Sequence, residues 1–235
     1  MDPAIPTHHA HEEVLAELVD VAGKRVADVG CGSGGLVRWL RGHDADVVGV
    51  ECGEVMLRMA HEADPDHPES YLEGVGQDLP LPDAEFDVVV YSYSLHHVPA
   101  EHMIDALREV GRVLRSDGTL YVVEPVAEGA GHEVIKLIDD ETEVRALAQE
   151  ALEHAEDVGL ELVTEHRYMS RMVLSGADAL AERVVGVDPR RAQRMEEHRA
   201  EFVERFNTLA TPVDSGYALD QENRVKIFRK MPSRV

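Results

Sequence analysis

Basic residues, cysteine and aromatics are all scarce in this chain of 235 residues. Lysine and arginine number 23 against 46 acids, for a formal charge of −23. A protein that grips a long nucleic acid neutralises phosphates with a basic surface, so that partner class is excluded as an expectation. Only two cysteines occur, Cys31 and Cys52. That count supports no disulfide framework and fits a reducing interior. No apolar run approaches the roughly 18 residues that span a bilayer, so no membrane partner is expected. The opening MDPAIPTHHAHEEVLAEL is acidic and polar where a signal peptide is basic and then apolar. The expected location is the cytoplasm. Repeats, low-complexity tracts and Pro/Ser-rich linkers are absent too, which predicts one continuous domain over residues 1–235.

What is present is alternation. RVADV, ADVVGV, SYLEG, FDVVVYSYS and TLYVVEP read as strands, and GLVRWLRG, GEVMLRMAHEA and EHMIDALREVGRVLR as the helices between them. Residues from about His8 to Val21 form a leading helix, with Thr7 as a candidate cap. Near-continuous apolar strands separated by helices predict a parallel sheet covered on both faces. The fold class is therefore α/β, a Rossmann-like, doubly wound, mostly parallel sheet. Such sheets bind ligands outside the carboxyl ends of their strands, at the switch in strand order. Beyond residue 126 the pattern changes. A long helix is expected over 133–157, then the strand LELVTEHRYM. Two helices follow at about 175–210, with Asp188 and Pro189 opening the second. GYALDQENRVKIFRK is a last strand with a polar turn or twist at its centre.

The turn after the first strand, VADVGCGSGG, holds four glycines. Gly30, Gly32 and Gly35 satisfy G-x-G-x-x-G, with Glu51 placed to hold a ribose, so a dinucleotide competes for the site. Asp28 argues against it, because a pyrophosphate beside a buried carboxylate sets two anions together. A ligand with an ammonium group and a ribose but no phosphate suits the same residues, and S-adenosylmethionine is one.

Four stretches in order carry a family resemblance over roughly residues 24–126. They are VADVGCGSGG, VVGVE, QDLPLPDAEFDVVVYSYSLHHV and LREVGRVLRSDGTLYVVEP. The sequence resembles the class I S-adenosylmethionine-dependent methyltransferases, in the small-molecule branch that includes quinone-biosynthesis enzymes. The resemblance implies a seven-stranded sheet with a helical insert before the last strand, and an activity of class EC 2.1.1.-. It divides the domain into an N-terminal helix or lid (1–23), a cofactor-binding core (24–126) and a C-terminal part (127–235). S-adenosylmethionine is the implied cofactor and S-adenosylhomocysteine its product.

Carried over residue by residue, the resemblance implies a cofactor held by Asp28, Gly30, Cys31, Gly32, Gly34, Glu51, Cys52, Met56, Gly76, Gln77, Asp78 and Tyr91. Glu51 accepts the ribose hydroxyls. The methionine amino group lies near Gly30 and the carbonyl of Tyr91. Val75 departs from the pattern, since many relatives hold an aspartate there for the adenine amino group. Ser116-Asp117-Gly118 stands where Pro-Gly-Gly is usual.

Methyl transfer from a sulfonium asks chiefly for alignment, and for a base only where the acceptor must lose a proton. Tyr93, His96 and His97 are the catalytic candidates; Tyr93, His96, Glu124 and His132 are the substrate candidates. Adjacent histidines on an extended segment point to opposite sides, so one of the two reaches the substrate; the resemblance directs His96 toward the cofactor and makes it the first candidate for a base, against a structural or cofactor-positioning role for the same segment. His8, His9 and His11 invite a metal, but Glu12 and Glu13 beside them read as a solvated face, and no metal is expected. The acidic run Asp139 to Glu143 reads the same way. The expected partner is a small molecule, with the chain a monomer or homodimer. The competing reading is a cofactor-binding regulatory or scaffold protein without transfer.

Overall fold

The computed structural model describes residues 9–232. The chain opens with α1 (His11–Leu18), then β1 (Arg25–Val29), α2 (Gly35–Gly42), β2 (Asp46–Glu51), α3 (Glu54–Ala63) and the short β3 (Tyr71–Glu73). It continues through β4 (Phe86–Ser92), α4 (Met103–Val113) and β5 (Leu114–Pro125). The remainder comprises α5 (Ala130–Ile135), α6 (Thr142–Glu153), β6 (Leu160–Leu174), α7 (Ala177–Val187), α8 (Ala192–Leu209), β7 (Thr211–Val213) and β8 (Gly216–Lys230).

The strands form one sheet in the order β3-β2-β1-β4-β5-β8-β6, with β7 added against β8. Seven strands lie on that path, as expected, and β7 makes an eighth. The pairs β1–β2, β2–β3, β1–β4 and β4–β5 are parallel. The order reverses between β1 and β4, which places a crevice outside the carboxyl ends of these two strands.

Burial explains why the runs are strands. In β4 the residues alternate between two covered faces. Val89 and Tyr91 join Leu120 and Val122 of β5 in a core with Leu107 and Val110 of α4 and Ala151 and Leu152 of α6. Val88, Val90 and Tyr121 are buried on the other face, where the His11 ring of α1 lies 5.9 Å from that of Tyr121. Each such aliphatic side chain contributes about 1.5–3 kcal/mol when fully buried. The helical insert has its own core, in which Leu180 and Val184 of α7 meet Met195, Phe202 and Phe206 of α8 with Val134 and Ile138. Asp188 opens the insert's second helical stretch as expected, accepting from the Arg190 N–H at 2.9 Å.

Three expectations change. The helix expected over 133–157 is broken between α5 and α6, where Asp140 Oδ1 accepts from the Thr142 N–H at 3.1 Å and its hydroxyl at 2.6 Å. A side chain that satisfies the backbone locally ends one helix and starts the next. The acidic run there is not simply solvated: Asp139 pairs with Arg191, and Glu141 with Arg145 at 2.6 Å. Finally, β8 runs unbroken through its polar centre, where the Gln221 side chain donates to the Val126 carbonyl and the Asn223 side chain to the Ser170 hydroxyl.

The chain falls into two compact units. One holds His11–Glu124, Leu147–His166 and the segment from Arg224 onward; the other holds Pro125–Ala146 and Arg167–Asn223. No helix among the described residues is long and apolar enough to cross a membrane.

Candidate active site

The site is built at the carboxyl ends of β1, β2, β4 and β5, all within the first unit. The chain leaves β1 through Gly30 and Gly32, at φ of 77° and 55°, a region that costs other residues about 1–2 kcal/mol. The two glycines serve different needs. A Cβ on Gly30 would stand 2.5 Å from the Cβ of Ser94, whereas one on Gly32 would meet nothing within 4 Å. Gly30 therefore lets β4's following turn pack against β1, and Gly32 leaves an open side. Gly34, also left-handed, caps α2. Cys31 is buried between them, and its N–H donates to Val50 of β2.

Glu51 closes the turn from the other side. Its Oε2 accepts from the Gly32 N–H at 2.9 Å and its Oε1 from the Gly53 N–H at 2.7 Å. Each oxygen keeps a further lone pair for a ligand. Asp28 is 1% exposed, and neither of its carboxylate oxygens has a partner. Burial, and then the Glu51 charge, push its pKa up to about 7. A buried carboxylate without partners is costly. Two acids around one glycine turn make a cradle for a cation or a set of hydrogen-bond donors.

The adenine-side candidates are more open. Cys52 is exposed and Met56 half-buried. Val75 is 39% exposed and bridges to Asp78 across Gly76 and Gln77. The Tyr91 ring belongs to the core beneath the sheet, so of this residue only the backbone faces the strand end. Burial raises its hydroxyl pKa, with the Glu109 charge as the lesser cause.

At the end of β4, Tyr93 holds a φ of 56°, unusual for an aromatic residue. The Ser94 hydroxyl donates to the Val29 carbonyl at 2.5 Å, tying this turn to β1. Leu95–His97 is a turn of 3-10 helix, not the extended segment assumed from the sequence. The two rings are thus neighbours, 4.0 Å apart at 52°, with His96 buried and His97 exposed. Glu124, at the end of β5, is 1% exposed. Its Oε1 accepts from the Leu95 and His96 N–H groups at 3.0 and 3.3 Å, and its Oε2 pairs with Nδ1 of His96. Two candidates that stand apart in the sequence, His96 and Glu124, form a dyad in the structure.

The other histidines part company. His8 and Thr7 lie outside the described residues. His11 is not on a solvated face: its Nε2 lies 2.9 Å from the Ser92 hydroxyl and its ring 5.4 Å from Tyr93. Burial lowers its pKa to about 4, against a smaller opposing pull from Glu12. His132 belongs to the second unit, where Thr142 lies 3.1 Å from Nε2 and Arg145 lies 3.3 Å from Nδ1. Ser94 and Ser92 give no signal in the sequence, because a serine in a strand-end turn carries no pattern of its own. A cleft of about 410 Å³ lined by Lys24, Asp87, Arg115 and Arg229 opens at the other end of the strands, remote from the turn.

The fold thus brings a glycine turn, an acid at the end of β2 and a buried acid on β1 together at a switch-point crevice. Residues 27–122 match the family model described as methyltransferase domain. Over that stretch, which runs from β1 into β5 and carries the glycine turn and Glu51, the chain is similar to methyltransferases. The 27-O-demethylrifamycin SV methyltransferase of Amycolatopsis mediterranei is 29% identical over 210 residues, covering 84% of this chain and 76% of that protein. The fatty-acid O-methyltransferase of Mycolicibacterium smegmatis is 36% identical over 107 residues, covering 44% of this chain and 38% of that protein. Against several other curated relatives the match spans about half of their length. Among solved structures, a Bacillus halodurans C-125 protein superposes with a TM-score of 0.66 at 20% identity, covering 95% of this chain and all of that one. That likeness is one of fold.

Proposed function

We propose that this chain transfers a methyl group from S-adenosylmethionine to a small-molecule acceptor, by in-line displacement at the crevice between β1 and β4. The observation that carries the reading is the acidic cradle. Asp28 offers two buried oxygens without partners, Gly32 offers an open side, and Glu51 keeps lone pairs beside both. These fit the ammonium, methionine backbone and ribose diol of that cofactor, and they repel a pyrophosphate. When bound, the cofactor supplies a methyl group on a positively charged sulfur.

In this reading Glu51 accepts the ribose hydroxyls, and Asp28 faces the ammonium, directly or through water. Gly30 to Gly32 lie along the methionine portion. Gly76, Gln77 and Asp78, with Cys52 and Met56, border the adenine. Tyr93, His96 and His97 stand at the acceptor end, tied to the turn by Ser94. The acceptor is a small molecule: the formal charge of −23 opposes polyanions, and two relatives are named for oxygen methylation of small molecules. Titration with S-adenosylhomocysteine tests the cradle. Micromolar binding that Glu51→Ala weakens about tenfold or more is expected, the loss that follows removal of a charged hydrogen-bond partner. Equal binding in both proteins would remove Glu51 from the site.

A further inference from the structure

We propose that Tyr71 is a positioning residue for the cofactor: its ring, fastened by Asp64, holds the glycine turn in the shape that receives the methionine end. This inference rests on the methyl-transfer reading and concerns how the chain keeps that site formed.

Two glycines at the turn are sockets for side chains. A Cβ on Gly34 would stand 2.5 Å from Cε1 of Tyr71 and 2.8 Å from its hydroxyl. A Cβ on Gly49 would stand 2.6 Å from Sγ of Cys31. Gly49 and Tyr71 are register partners across β2 and β3, so the two contacts are neighbours. The Gly34 N–H donates to the Cys31 carbonyl at 3.0 Å, and the Gly30 and Cys31 N–H groups donate to the Val50 carbonyl. A shift of Gly34 therefore passes to Cys31, and through it to Gly30 and Gly32. A glycine at φ 77° has other backbone wells open to it. The Tyr71 ring against Gly34 narrows that choice.

The ring is itself tied down. Tyr71 is 4% exposed, and its hydroxyl donates to Oδ2 of Asp64 at 2.8 Å. Arg41 donates to the same oxygen at 2.6 Å. The Arg38 guanidinium lies beside the Tyr71 hydroxyl and donates to the Ser33 carbonyl at 2.8 Å. The helix α2 starts at the glycine turn, and α3 starts three residues after Glu51. Arg41 stands in the last turn of α2, and Asp64 caps the end of α3. One carboxylate thus joins the far ends of the two helices whose near ends border the acidic cradle. Phenylalanine at position 71 would fill the same socket and leave the ring unfastened. A site formed before its ligand arrives loses less binding energy to ordering of the chain.

The test uses the full chain, ¹⁵N-labelled, as wild type, Tyr71→Phe and Asp64→Asn. Both substitutions leave a ring in the socket and weaken its fastening. S-adenosylhomocysteine should bind Tyr71→Phe about fivefold more weakly than wild type, and Asp64→Asn more weakly too. The Gly32 and Gly34 amide signals of the unliganded chain should move in both variants. A lower urea midpoint with affinity and both signals unchanged is the outcome of a merely structural role and would overturn the proposal. Wild-type affinity in both variants, whatever the signals do, would overturn it as well. Failure of S-adenosylhomocysteine to bind the wild type would contradict the cofactor reading, while the two amide signals would still decide whether Tyr71 sets the turn.

Discussion

The side chain of Ser94 occupies the place where a Cβ on Gly30 would stand, 2.5 Å from the serine's own Cβ. Two strands adjacent in the sheet but distant in the chain meet there through a glycine and a serine. Gly30→Ala therefore combines left-handed strain with a clash, and a loss of about 2–4 kcal/mol in urea unfolding is expected. Gly32→Ala meets no neighbour, and its cost is limited to about 1–2 kcal/mol of backbone strain. Both variants should lose S-adenosylhomocysteine binding, but only Gly30→Ala should be severely destabilised.

Asp28 gives the protein an unusual dependence on pH. Below about pH 4 the residue is protonated in folded and unfolded chains and contributes nothing. As the pH rises from 3.8 towards 7, the unfolded chain releases the proton and the folded one retains it. Stability falls across that window, by on the order of 4 kcal/mol at its upper end. Asp28→Asn should be more stable than wild type at about pH 8, should match it near pH 3.5, and should bind S-adenosylhomocysteine more weakly. Denaturant midpoints at the two pH values check the sign.

His11 works in the opposite direction. Its folded pKa of about 4 lies below the ordinary 6.5, so the unfolded chain takes up a proton as the pH falls between these values. Stability drops with it, by on the order of 3 kcal/mol at pH 4. Replacing His11 by Gln removes this titration. The stability difference between variant and wild type should therefore move in the variant's favour from about pH 7.5 to about pH 4.5, measured by urea unfolding.

The turn that enters the long part of β5 supplies a control far from the chemistry. Asp117 sits at φ 63°, in the place where the family resemblance would lead one to expect glycine. Asp117→Gly relieves left-handed strain at some cost in unfolded-state entropy. A gain of about 0.5–1 kcal/mol is expected, with cofactor binding unchanged.

Much of this was legible in the sequence. Apolar runs two faces deep marked β1, β2, β4 and β5, and their alternation with amphipathic helices required a parallel sheet. The glycine turn was legible because Gly30 and Gly32 answer a local demand, a left-handed backbone after β1. The dyad was not, since Glu124 and His96 lie 28 residues apart and only the pairing of β4 with β5 brings them together. The burial of His11 was hidden for the same reason, its partner Ser92 being 81 residues away. The break between α5 and α6 was missed because Asp140 and Thr142 read as helix surface until their mutual bonds were seen.

Calorimetric titration of the wild type and Glu51→Ala with S-adenosylhomocysteine at about pH 7.5 asks most directly whether the acidic cradle holds this cofactor. Micromolar binding at one site per chain is expected, weakened about tenfold or more in the variant. Absence of binding to the wild type would contradict the assignment, and would leave the acidic cradle around Gly32 without its ligand.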